Sequence, residues 1–504
     1  VSRIPYPVSR IPYPVSISLP LPKMNTDKYE VVIGLEVHAQ LLTKTKLFCA
    51  DSTAFGSDPN TQVSPISLAH PGTLPKMNKK AIELAVKLGL ALHCEIERNN
   101  YFARKNYFYP DLPKGYQVSQ HTAPICKGGY ITVSTAEGKN NIQLNRIHLE
   151  EDAGKSIHDI DPGYTCIDLN RAGVPLLEIV TEPCIHSAAE AFAFLTELRK
   201  TVRWLDVCDG NMEEGSMRCD ANISIRLKGS TTLGKRVEVK NLNSIRNVKK
   251  AIEIEQERLI AIAERNETVI QETRSFDADK NITFSLRSKE EADDYRYFPE
   301  PDLPPFDVSN EYIENIRRSM PELPEQLKEK YITQFSLTEY DASVICNDKD
   351  DADFFSALIK YSTHYKSAAN WMLGPLKFYC NENNISIGSF PLQPSTVAAL
   401  IELTESGKVN FSNASTKILQ HLIKEPDTTP ETIAASLNLL QESNSGAIED
   451  WVNEVINAMP DKVKEYKSGK KGLIGMFAGE VKKKSKGKAD MQLVNKLLAE
   501  KLNN

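Results

Sequence analysis

A strict alternation of polar and apolar side chains is the sequence feature that most constrains the fold of this chain. It is clearest in residues 217–226, MRCDANISIR, where every second side chain from Met217 onward is apolar or small. A period of two residues is that of a β-strand with one face against a core. The same alternation starts at Tyr29 and returns between long helical segments. The N-terminal part of the chain is therefore predicted to be an α+β domain with an antiparallel sheet.

Three segments of this domain have helical periodicity. Ser187 followed by Glu190 forms a capping box, a pattern that satisfies backbone N–H groups in the first turn of a helix. The proline-rich run FPEPDLPP at 298–305 is typical of the exit from a domain. The predicted helices span residues 79–93, 187–205 and 244–265.

Beyond Phe306 the sequence becomes helical and ends in a basic segment. Helices are predicted at 311–318, 340–348 and 351–361, with a Ser/Asn-rich break at 410–415. From Lys462 to the last residue there are twelve lysines and four acidic residues, a net charge of +8. We therefore expect four segments, namely a disordered extension at 1–23, a catalytic domain at 24–305, a helical domain at 306–412 and a helical tail at 413–504.

The expected extension reads VSRIPYPVSRIPYPVSISLPLPK and contains a duplicated seven-residue segment. Proline at this density prevents helix formation, so we expect disorder upstream of a start at Met24, with a transit peptide as the alternative. The rest of the chain has no run of roughly 18 apolar residues, so no membrane-spanning helix is predicted. Nine cysteines without a CxxC pair favour a reducing compartment such as the cytoplasm. The net charge of −6 restricts any nucleic-acid contact to local basic patches.

Four predicted strands carry chemically active side chains on one face. They are the strand from Tyr29, then NIQLNRIHLEED, PLLEIV and MRCDANISIR. A single polar strand face is usually the solvated side of an antiparallel sheet, but four such faces can meet in one site. Their polar residues are Glu36 and His38 on the first strand, Arg146, His148 and Glu150 on the second, Glu178 on the third, and Arg218, Asp220, Asn222 and Arg226 on the fourth.

Glu178 is the most informative of these residues because Leu177 and Ile179 flank it. Burying an isolated carboxylate costs on the order of several kcal/mol, so Glu178 needs a partner or a cation. Three or four carboxylates plus an imidazole suit a hard divalent ion such as Mg²⁺ or Mn²⁺, which bridges phosphate oxygens in ATP chemistry. Four basic residues would suit phosphates or a developing anion, namely Arg171, Arg218, Arg226 and Lys240.

Two familiar nucleotide and amidase motifs are missing from the sequence. Gly154-Lys155-Ser156 resembles the end of a P-loop, but Leu149 stands where the first glycine is needed. Gly128-Gly129 is the only Gly-Gly pair, so a glycine-serine-rich amidase loop is also missing. Aromatic and basic residues interleave at 101–117 and 293–302, a pattern that can stack bases or form a packed loop core.

Seven motifs in the same order resemble the GatB family, the B subunits of tRNA-dependent amidotransferases. They are VIGLEVH, RKNYFYPDLPKGYQ, HLEEDAGK, DLNRAGVPLLEIVTEP, MEEGSMRCDANIS, EVKNLNS and DDYRYFPEPD, and GKKGLIGMFAGEV near the C-terminus resembles the GatB/YqeY type. The resemblance implies a cradle domain related to glutamine synthetase, a helical domain and a helical tail that binds tRNA. It also implies a complex with a glutaminase subunit, GatA, and a small subunit, GatC.

The chemistry implied by this resemblance is an ATP-dependent amidation. ATP would phosphorylate the side-chain carboxylate of a misacylated Glu-tRNA(Gln) or Asp-tRNA(Asn), and ammonia from the glutaminase would displace the phosphate. The implied ligands for Mg²⁺ are Glu36, His38, Glu178 and either Glu150 or Glu151. The expected catalytic residues are Arg218, Asp220, Asn222 and Lys240, and the expected ATP-binding residues are Arg171 and Arg226.

Two alternatives remain open from the sequence: a non-catalytic tRNA-binding scaffold of the same complex, and a metal-dependent hydrolase that acts alone. One departure from the family also matters. Many members have a four-cysteine zinc knuckle after the first strand, but here the corresponding residues are Cys49, Asp51, Ser64 and Ser67. One thiol cannot hold a tetrahedral structural zinc, so we expect no structural zinc and a loop held by packing.

Overall fold

The computed structural model describes residues 26–288, 295–440, 445–485 and 488–503. The expected disordered extension at 1–23 lies outside the described residues, as do Lys486 of the basic segment and residues 293–294 of the second aromatic cluster. The chain divides into two compact units, Val1–Pro321 and Glu322–Asn504. The finer domain limits given above stay a prediction.

The first unit is built on one large sheet. The described strands of the unit are β1 (Tyr29–Gln40), β2 (Glu95–Ile96), β3 (Asn99–Asn100), β4 (Ala103–Asn106), β5 (Tyr116–Ser119), β6 (Cys126–Lys127), β7 (Tyr130–Thr135), β8 (Gly138–Glu151), β9 (Lys155–Asp161), β10 (Tyr164–Asp168), β11 (Pro175–Thr181), β12 (Met217–Leu227), β13 (Val237–Leu242), β14 (Glu272–Asp277), β15 (Ile282–Ser288), β16 (Arg296–Pro299) and β17 (Phe306–Asp307). β9 pairs with β10 and β3 with β17 in two small separate sheets, and the other strands form the large sheet. The main path of the sheet runs β15-β14-β13-β12-β1-β11-β8-β5-β4-β16. The strand pairs along this path are antiparallel, as predicted, except for β13 and β14. These two strands are parallel because the helix between them returns the chain to the end of the sheet at which β13 begins.

The two faces of the sheet differ as the alternation predicts. On β1 and β12 the apolar positions, such as Leu35 and Ala221, are completely buried, whereas Glu36 and Asn222 between them are partly exposed. Helices pack on the apolar side through contacts with β7, β8 and β12. They are α1 (Lys79–Ala91), α2 (Ala188–Trp204) and α3 (Ile245–Glu264), and α4 (Asn310–Ser319) packs against α1. The opposite, polar face is therefore available for chemistry.

Helix starts in this unit follow their capping residues. The hydroxyl of Ser187 accepts from the Glu190 N–H at 3.1 Å, and that of Ser244 accepts from the Asn247 N–H at 3.1 Å. The Glu190 carboxylate accepts from the His186 N–H at 2.7 Å, one residue earlier than in the standard capping box. The three predicted helices are confirmed, with ends that differ by one or two residues.

The second unit is helical, as predicted. Its α-helices are α5 (Pro324–Phe335), α6 (Glu339–Ile345), α7 (Lys349–Leu358), α8 (Tyr365–Trp371), α9 (Lys377–Glu382), α10 (Pro394–Glu405), α11 (Phe411–Asn413), α12 (Leu419–Lys424), α13 (Pro430–Ser436), α14 (Ser445–Ala458), α15 (Pro460–Lys467), α16 (Ile474–Lys484) and α17 (Met491–Asn503). Among the described helices, none is long and apolar enough to cross a membrane.

The predicted break at 410–415 is wrong. Asn410 caps a helix that continues through a π-helical turn, Ala414–Ile418, to Lys424. The hydroxyl of Thr416 donates to the Ser412 carbonyl oxygen at 2.6 Å, so its polar group is satisfied inside the helix. Ser, Thr and Asn predict a helix start as readily as a loop, and here Asn410 supplies that start.

The basic C-terminal segment forms part of one small hydrophobic core. Ile448 and Val452 of α14, Phe477 and Val481 of α16, and Leu498 of α17 are completely buried against one another. The lysines of α16 lie on its exposed side. A deletion that starts at Lys462 would therefore cut through this core.

Candidate metal centre and its surroundings

Four strands align a row of ionisable residues across the polar face. Arg218 on β12 lies opposite His38 on β1, His38 opposite Glu178 on β11, and Glu178 opposite His148 on β8. Directly opposite residues in antiparallel strands have Cβ atoms about 4.5–5.5 Å apart, so their side chains can meet. The sheet register thus places the row without any loop.

Three of these side chains form a cluster with the geometry of a metal site. One ligand atom each of His38, Glu150 and Glu178 lies within 4.8 Å of the others. The His38 Nε2 atom is 3.8 Å from Glu150 and 3.7 Å from Glu178. These distances are too long for hydrogen bonds and leave room for an ion between the groups.

His148 strengthens this interpretation. It is buried, and neither ring nitrogen has a hydrogen-bond partner among the described residues, although Nε2 is 3.4 Å from Glu178 and 3.7 Å from Glu150. A buried polar atom without a partner is unusual and calls for a physical explanation. A divalent cation bound by the carboxylates beside it would provide one, and carboxylate with imidazole is a donor set that Mg²⁺ or Mn²⁺ accepts.

The electrostatics of the cluster are strongly coupled. Burial works against the charged form of Glu178, but His148 and His38 outweigh it and hold the pKa of Glu178 well below its usual range. Burial likewise lowers the pKa of His38, yet Glu178 and Glu150 together raise it above the ordinary value. The carboxylate is thus anionic and the imidazole can exchange a proton for a metal ion.

The other predicted ligands lie elsewhere. Glu36 is on the same face but two residues along β1, roughly 7 Å away, and accepts a hydrogen bond from Asn222 at 2.9 Å. Burial, then the charges of Glu178 and Asp220, raise the pKa of Glu36. Glu151 pairs with Lys114 and accepts from the Val118 N–H at 2.9 Å. Of the two neighbouring glutamates, the structure brings Glu150 and not Glu151 to the cluster.

Arg218 and Arg171 meet at Asp152. The Arg218 Nη2 atom donates to Asp152 at 2.7 Å, and Arg171 donates to the carbonyl oxygens of Ala153 and Gly154 at 3.0 and 2.6 Å. Burial opposes ionisation of Asp152, but Arg218 and Arg171 outweigh it and lower its pKa. Both arginines are therefore held beside the cluster with part of their donor capacity free.

Lys240 and Asp220 form a second polar group, next to Glu36. Lys240 Nζ is 2.5 Å from Asp220 and 2.8 Å from Glu238. Burial would lower the pKa of Lys240, but these carboxylates raise it above its usual value. Lys240 is therefore a fixed cation on the polar face.

A cavity of about 610 Å³ opens beside Glu36 and Asn222. Gly34 contributes no side chain to its floor, where an added Cβ would meet only the Thr181 hydroxyl oxygen at 4.0 Å. The exposed cations Lys235 and Arg236 line its rim. Arg226 is bound to Glu30 at 2.6 Å and lies two residues along β12 from Ser224, which lines this cavity, and eight residues from Arg218, roughly 26 Å away.

Sequence reasoning did not assign roles to Arg146, His148, His121 and Tyr297, which border the cluster. Arg146 Nη2 is 3.8 Å from Glu178 and donates to His121 Nδ1 at 3.2 Å. Burial, with Arg146 next, lowers the pKa of His121 to about 4. Alternation along β8 had placed Arg146 and His148 on the polar face of the sheet. His121 follows β5 and Tyr297 lies on β16, and no alternation in these segments predicts that they lie on the same face.

The interleaved aromatic and basic residues form a packed group at the same edge of the sheet. The Arg104 guanidinium lies 4.2 Å from the centre of the Tyr116 ring, and the Lys105 ammonium lies 4.6 Å from that of Tyr295. Phe108, between them in sequence, is exposed. The group combines a packed loop core with an exposed aromatic tip.

The loop that corresponds to the zinc knuckle is held by a carboxylate instead of by packing alone. Asp51 accepts from the Ser67 hydroxyl at 2.6 Å and from the Ser64 N–H at 2.9 Å. Burial opposes the charge on Asp51, but these donors lower its pKa. This donor set does not fit a tetrahedral zinc ion, because Cys49 is the one thiol among the four corresponding residues.

Comparison with known proteins gives a consistent family assignment. The GatB/GatE catalytic domain matches residues 31–314, and a GatB domain matches residues 353–502. The chain is 48% identical to the B subunit of the aspartyl/glutamyl-tRNA(Asn/Gln) amidotransferase of Thermodesulfovibrio yellowstonii, over 94% of this chain and 98% of that protein. It is also 48% identical to that of Persephonella marina, over 94% of this chain and 100% of the relative, and 47% identical to that of Geotalea uraniireducens over the same shares.

Proposed function

Because the chain belongs to the GatB/GatE family, we propose that it is the component of a glutamine-dependent tRNA amidotransferase that activates the substrate carboxylate. Its substrate is a misacylated Glu-tRNA(Gln), Asp-tRNA(Asn) or both. The activation is an ATP-dependent phosphorylation on the polar face of the large sheet. The cluster of His38, Glu150 and Glu178 is the observation that carries this proposal.

The cluster would hold one divalent cation, with Mg²⁺ as the physiological candidate. Two carboxylates and one imidazole converge within 4.8 Å, and the buried His148 beside them has no hydrogen-bond partner in the described part of the chain. Such an ion, when bound, neutralises charge on phosphate oxygens and orients them. Glu36 lies close enough to join through a water molecule, which Mg²⁺ commonly retains.

The cavity beside Glu36 would hold the nucleotide. Its volume of about 610 Å³ is in the range of small-molecule sites, and the bare backbone of Gly34 allows a flat ring to approach. Lys235 and Arg236 would contact phosphates at the rim, and Lys240 with Arg218 would stabilise the transferred phosphoryl group. Arg226, two residues along β12 from the cavity-lining Ser224, would lie beside the nucleotide with its guanidinium bound to Glu30.

The order of steps follows from the chemistry of the groups. A carboxylate oxygen of the aminoacyl side chain attacks the γ-phosphorus, the bond to the β-phosphate oxygen breaks, and ADP leaves. Ammonia then attacks the acyl carbon, the bond between that carbon and the phosphate oxygen breaks, and the proton that nitrogen loses goes to the departing phosphate, which leaves as HPO₄²⁻. The positioned cations serve the first step, because phosphoryl transfer depends mainly on orientation and charge stabilisation.

Ammonia would come from a separate glutaminase, GatA, in a cytoplasmic complex that also contains GatC. The sequence contains no amidase loop that could release ammonia, and the relatives are named as one component of a larger enzyme. The C-terminal unit would bind the tRNA body through the exposed lysines Lys482 and Lys483 of α16. Lysine contacts with phosphate are independent of base sequence, so these contacts would position the tRNA without selecting it.

The test of this proposal uses the reconstituted complex with misacylated tRNA, ATP and Mg²⁺ but without glutamine or ammonia. We expect ADP and a trapped phosphorylated aminoacyl-tRNA with either Glu-tRNA(Gln) or Asp-tRNA(Asn). AMP and pyrophosphate would indicate an adenylate intermediate and refute the mechanism. No nucleotide turnover in a complex whose glutaminase is active would favour a tRNA-binding scaffold, and turnover without ATP would favour an independent hydrolase.

A further inference from the structure

Arg146 is the strongest unassigned anion-binding group next to the cluster. It lies on β8, and Val180 of β11 separates it from Glu36 of β1. Its guanidinium reaches towards Glu178, with Nη2 3.8 Å from the carboxylate. It does not line the 610 Å³ cavity, whose cations are Lys235 and Arg236, although its strand partner Val180 does.

The donors of Arg146 are only partly used. Nη1 donates to the Asn145 side-chain oxygen at 3.0 Å and Nη2 donates to His121 at 3.2 Å, but Nε is buried and has no hydrogen-bond partner in the described ranges. A guanidinium stays charged at every physiological pH and offers five N–H donors in one plane. Such a group matches a carboxylate, which can accept two parallel hydrogen bonds.

Phosphoryl transfer requires that two anions, the triphosphate of the nucleotide and the acceptor carboxylate, reach the metal site from different directions. If the nucleotide approaches from the cavity beside Gly34, the acceptor must approach from the β8 and β5 side of the cluster. Arg146 is the cation on that side that contacts Glu178. Resting on the proposed function, we infer that Arg146 binds the side-chain carboxylate of the aminoacyl group, and that His121 is a positioning residue that orients Arg146.

The contact between these two residues also fixes the tautomer of His121. Arginine can only donate, so His121 Nδ1 must accept, and the ring proton must lie on Nε2. The His121 ring is stacked on Tyr297, with centroids 5.3 Å apart and planes 16° apart, and meets the His148 ring edge-on at 5.8 Å. The rings of Tyr297 and His148 thus fix the orientation of the His121 ring, and His121 Nδ1 in turn fixes the Arg146 guanidinium.

The main test substitutes Arg146→Gln in the full complex. We expect the KM for Glu-tRNA(Gln) or Asp-tRNA(Asn) to rise about 10- to 100-fold, the usual effect of losing a hydrogen-bonded ion pair, while the Kd for ATP in the absence of tRNA changes less than twofold. The wild-type preference for the acidic aminoacyl group over the amidated product should also disappear. Arg265→Gln is the matched control, because this exposed arginine pairs with Glu267 and lies outside the site.

Two results would overturn the inference. A loss of ATP affinity with unchanged tRNA KM would place the γ-phosphoryl group, not the carboxylate, at Arg146. Unchanged values of both would leave Arg146 as a neutralising partner of Glu178 alone. Either result can be interpreted only if wild-type complex forms ADP with misacylated tRNA, so failure of the proposed function itself is recognised separately.

A pair of His121 variants tests the positioning role. His121→Phe keeps a ring to stack on Tyr297 but removes the acceptor, whereas His121→Asn places an oxygen near the position of Nδ1 but removes the ring. If acceptance from Arg146 matters, the tRNA KM should rise in the Phe variant and be largely restored in the Asn variant. The opposite order would assign His121 a purely packing role, and equal protein stability of the two variants would exclude a folding explanation.

Discussion

Two groups of buried carboxylates lie on opposite sides of the large sheet and have opposite surroundings. On the helical side, Glu255 of α3 is completely buried and accepts from Arg258 at 2.7 to 3.1 Å and from the Thr283 hydroxyl. Arg274 of β14 lies 3.1 Å from it. Every charge there has a partner at hydrogen-bond distance.

On the polar side, Glu150 and Glu178 are almost as deeply buried but lack such partners among the described residues. The nearest basic side chains are imidazoles at 3.4 Å or more and Arg146 at 3.8 Å. A buried charge without close donors is costly unless something else binds it. The contrast indicates that Glu255 stabilises the fold, whereas Glu150 and Glu178 are kept ready for a ligand.

The largest effect is expected for Glu178→Gln. The amide is a poor metal ligand, so phosphorylation of misacylated tRNA should fall by about 100-fold or more. The free energy of unfolding should fall modestly at neutral pH, because, against the effect of burial, His148 and His38 lower the pKa of Glu178 and its charged form therefore contributes to stability. Measurement of ADP formation, with the glutaminase activity of the partner as control, tests the assignment. Wild-type transamidation by this variant would refute it.

Glu255→Gln should show the reverse pattern. Removing this charge takes away the completely buried partner of Arg258 and Arg274 and leaves Glu272 as their common carboxylate, so the free energy of unfolding should fall by about 3 kcal/mol. ADP formation per folded molecule should not change. Urea denaturation measures the effect, and Glu257→Gln is the matched control because this exposed residue lies on the same helix. A large loss of turnover without loss of stability would break the comparison.

The polar and apolar faces could be predicted from the sequence because alternation fixes the face on which a residue lies. Alternation does not fix how far along the strand a residue lies from the site, so this position could not be predicted. Arg218 and Arg226 have the same phase on β12, yet Arg218 lies beside the cluster whereas Arg226, eight residues further along, binds Glu30 near the cavity. For the two neighbouring glutamates, strand phase favoured Glu150, which lies in the cluster, whereas a bend at residues 152–154 would have favoured Glu151, which instead binds Lys114 and Val118.

Residues from outside the alternating strands were the hardest to predict. His121 and Tyr297 are 176 positions apart in sequence and come together only through the sheet order β8-β5-β4-β16. The Asp51 loop shows a related limit. Its sequence excluded a four-cysteine zinc site, but the Ser64 and Ser67 donors that hold it depend on the folded backbone.

Addition of divalent ions sharpens the comparison without any assay of turnover. An ion that binds only the folded protein stabilises it by about 2.7 kcal/mol at one hundred times its Kd. We expect Mn²⁺ or Mg²⁺ to raise the melting temperature of the wild type and of Glu255→Gln by similar amounts. Glu178→Gln should lose this increase, and EDTA should reverse it in the other two proteins. Equal responses of all three would place the ion elsewhere.

The smallest effect concerns Asp152, which lies beside the cluster but has partners of the kind that Glu255 has. Arg218 at 2.7 Å and Gln40 at 2.9 Å bind its carboxylate. Against the opposing effect of burial, Arg218 and Arg171 lower its pKa below that of an unfolded chain, about 3.9. Its contribution to stability is therefore present above pH ~4 and is lost as the pH falls through the folded pKa. Asp152→Asn should lower stability at neutral pH and flatten the decline in acid, whereas Asp159→Asn, an exposed change on β9, should reproduce the wild-type curve. If the stability of Asp152→Asn declines in acid as that of the wild type does, Asp152 carries no paired charge in the folded state. The distinction between carboxylates that stabilise the fold through close partners and carboxylates that await a ligand would then not hold for Asp152, the paired carboxylate beside the cluster.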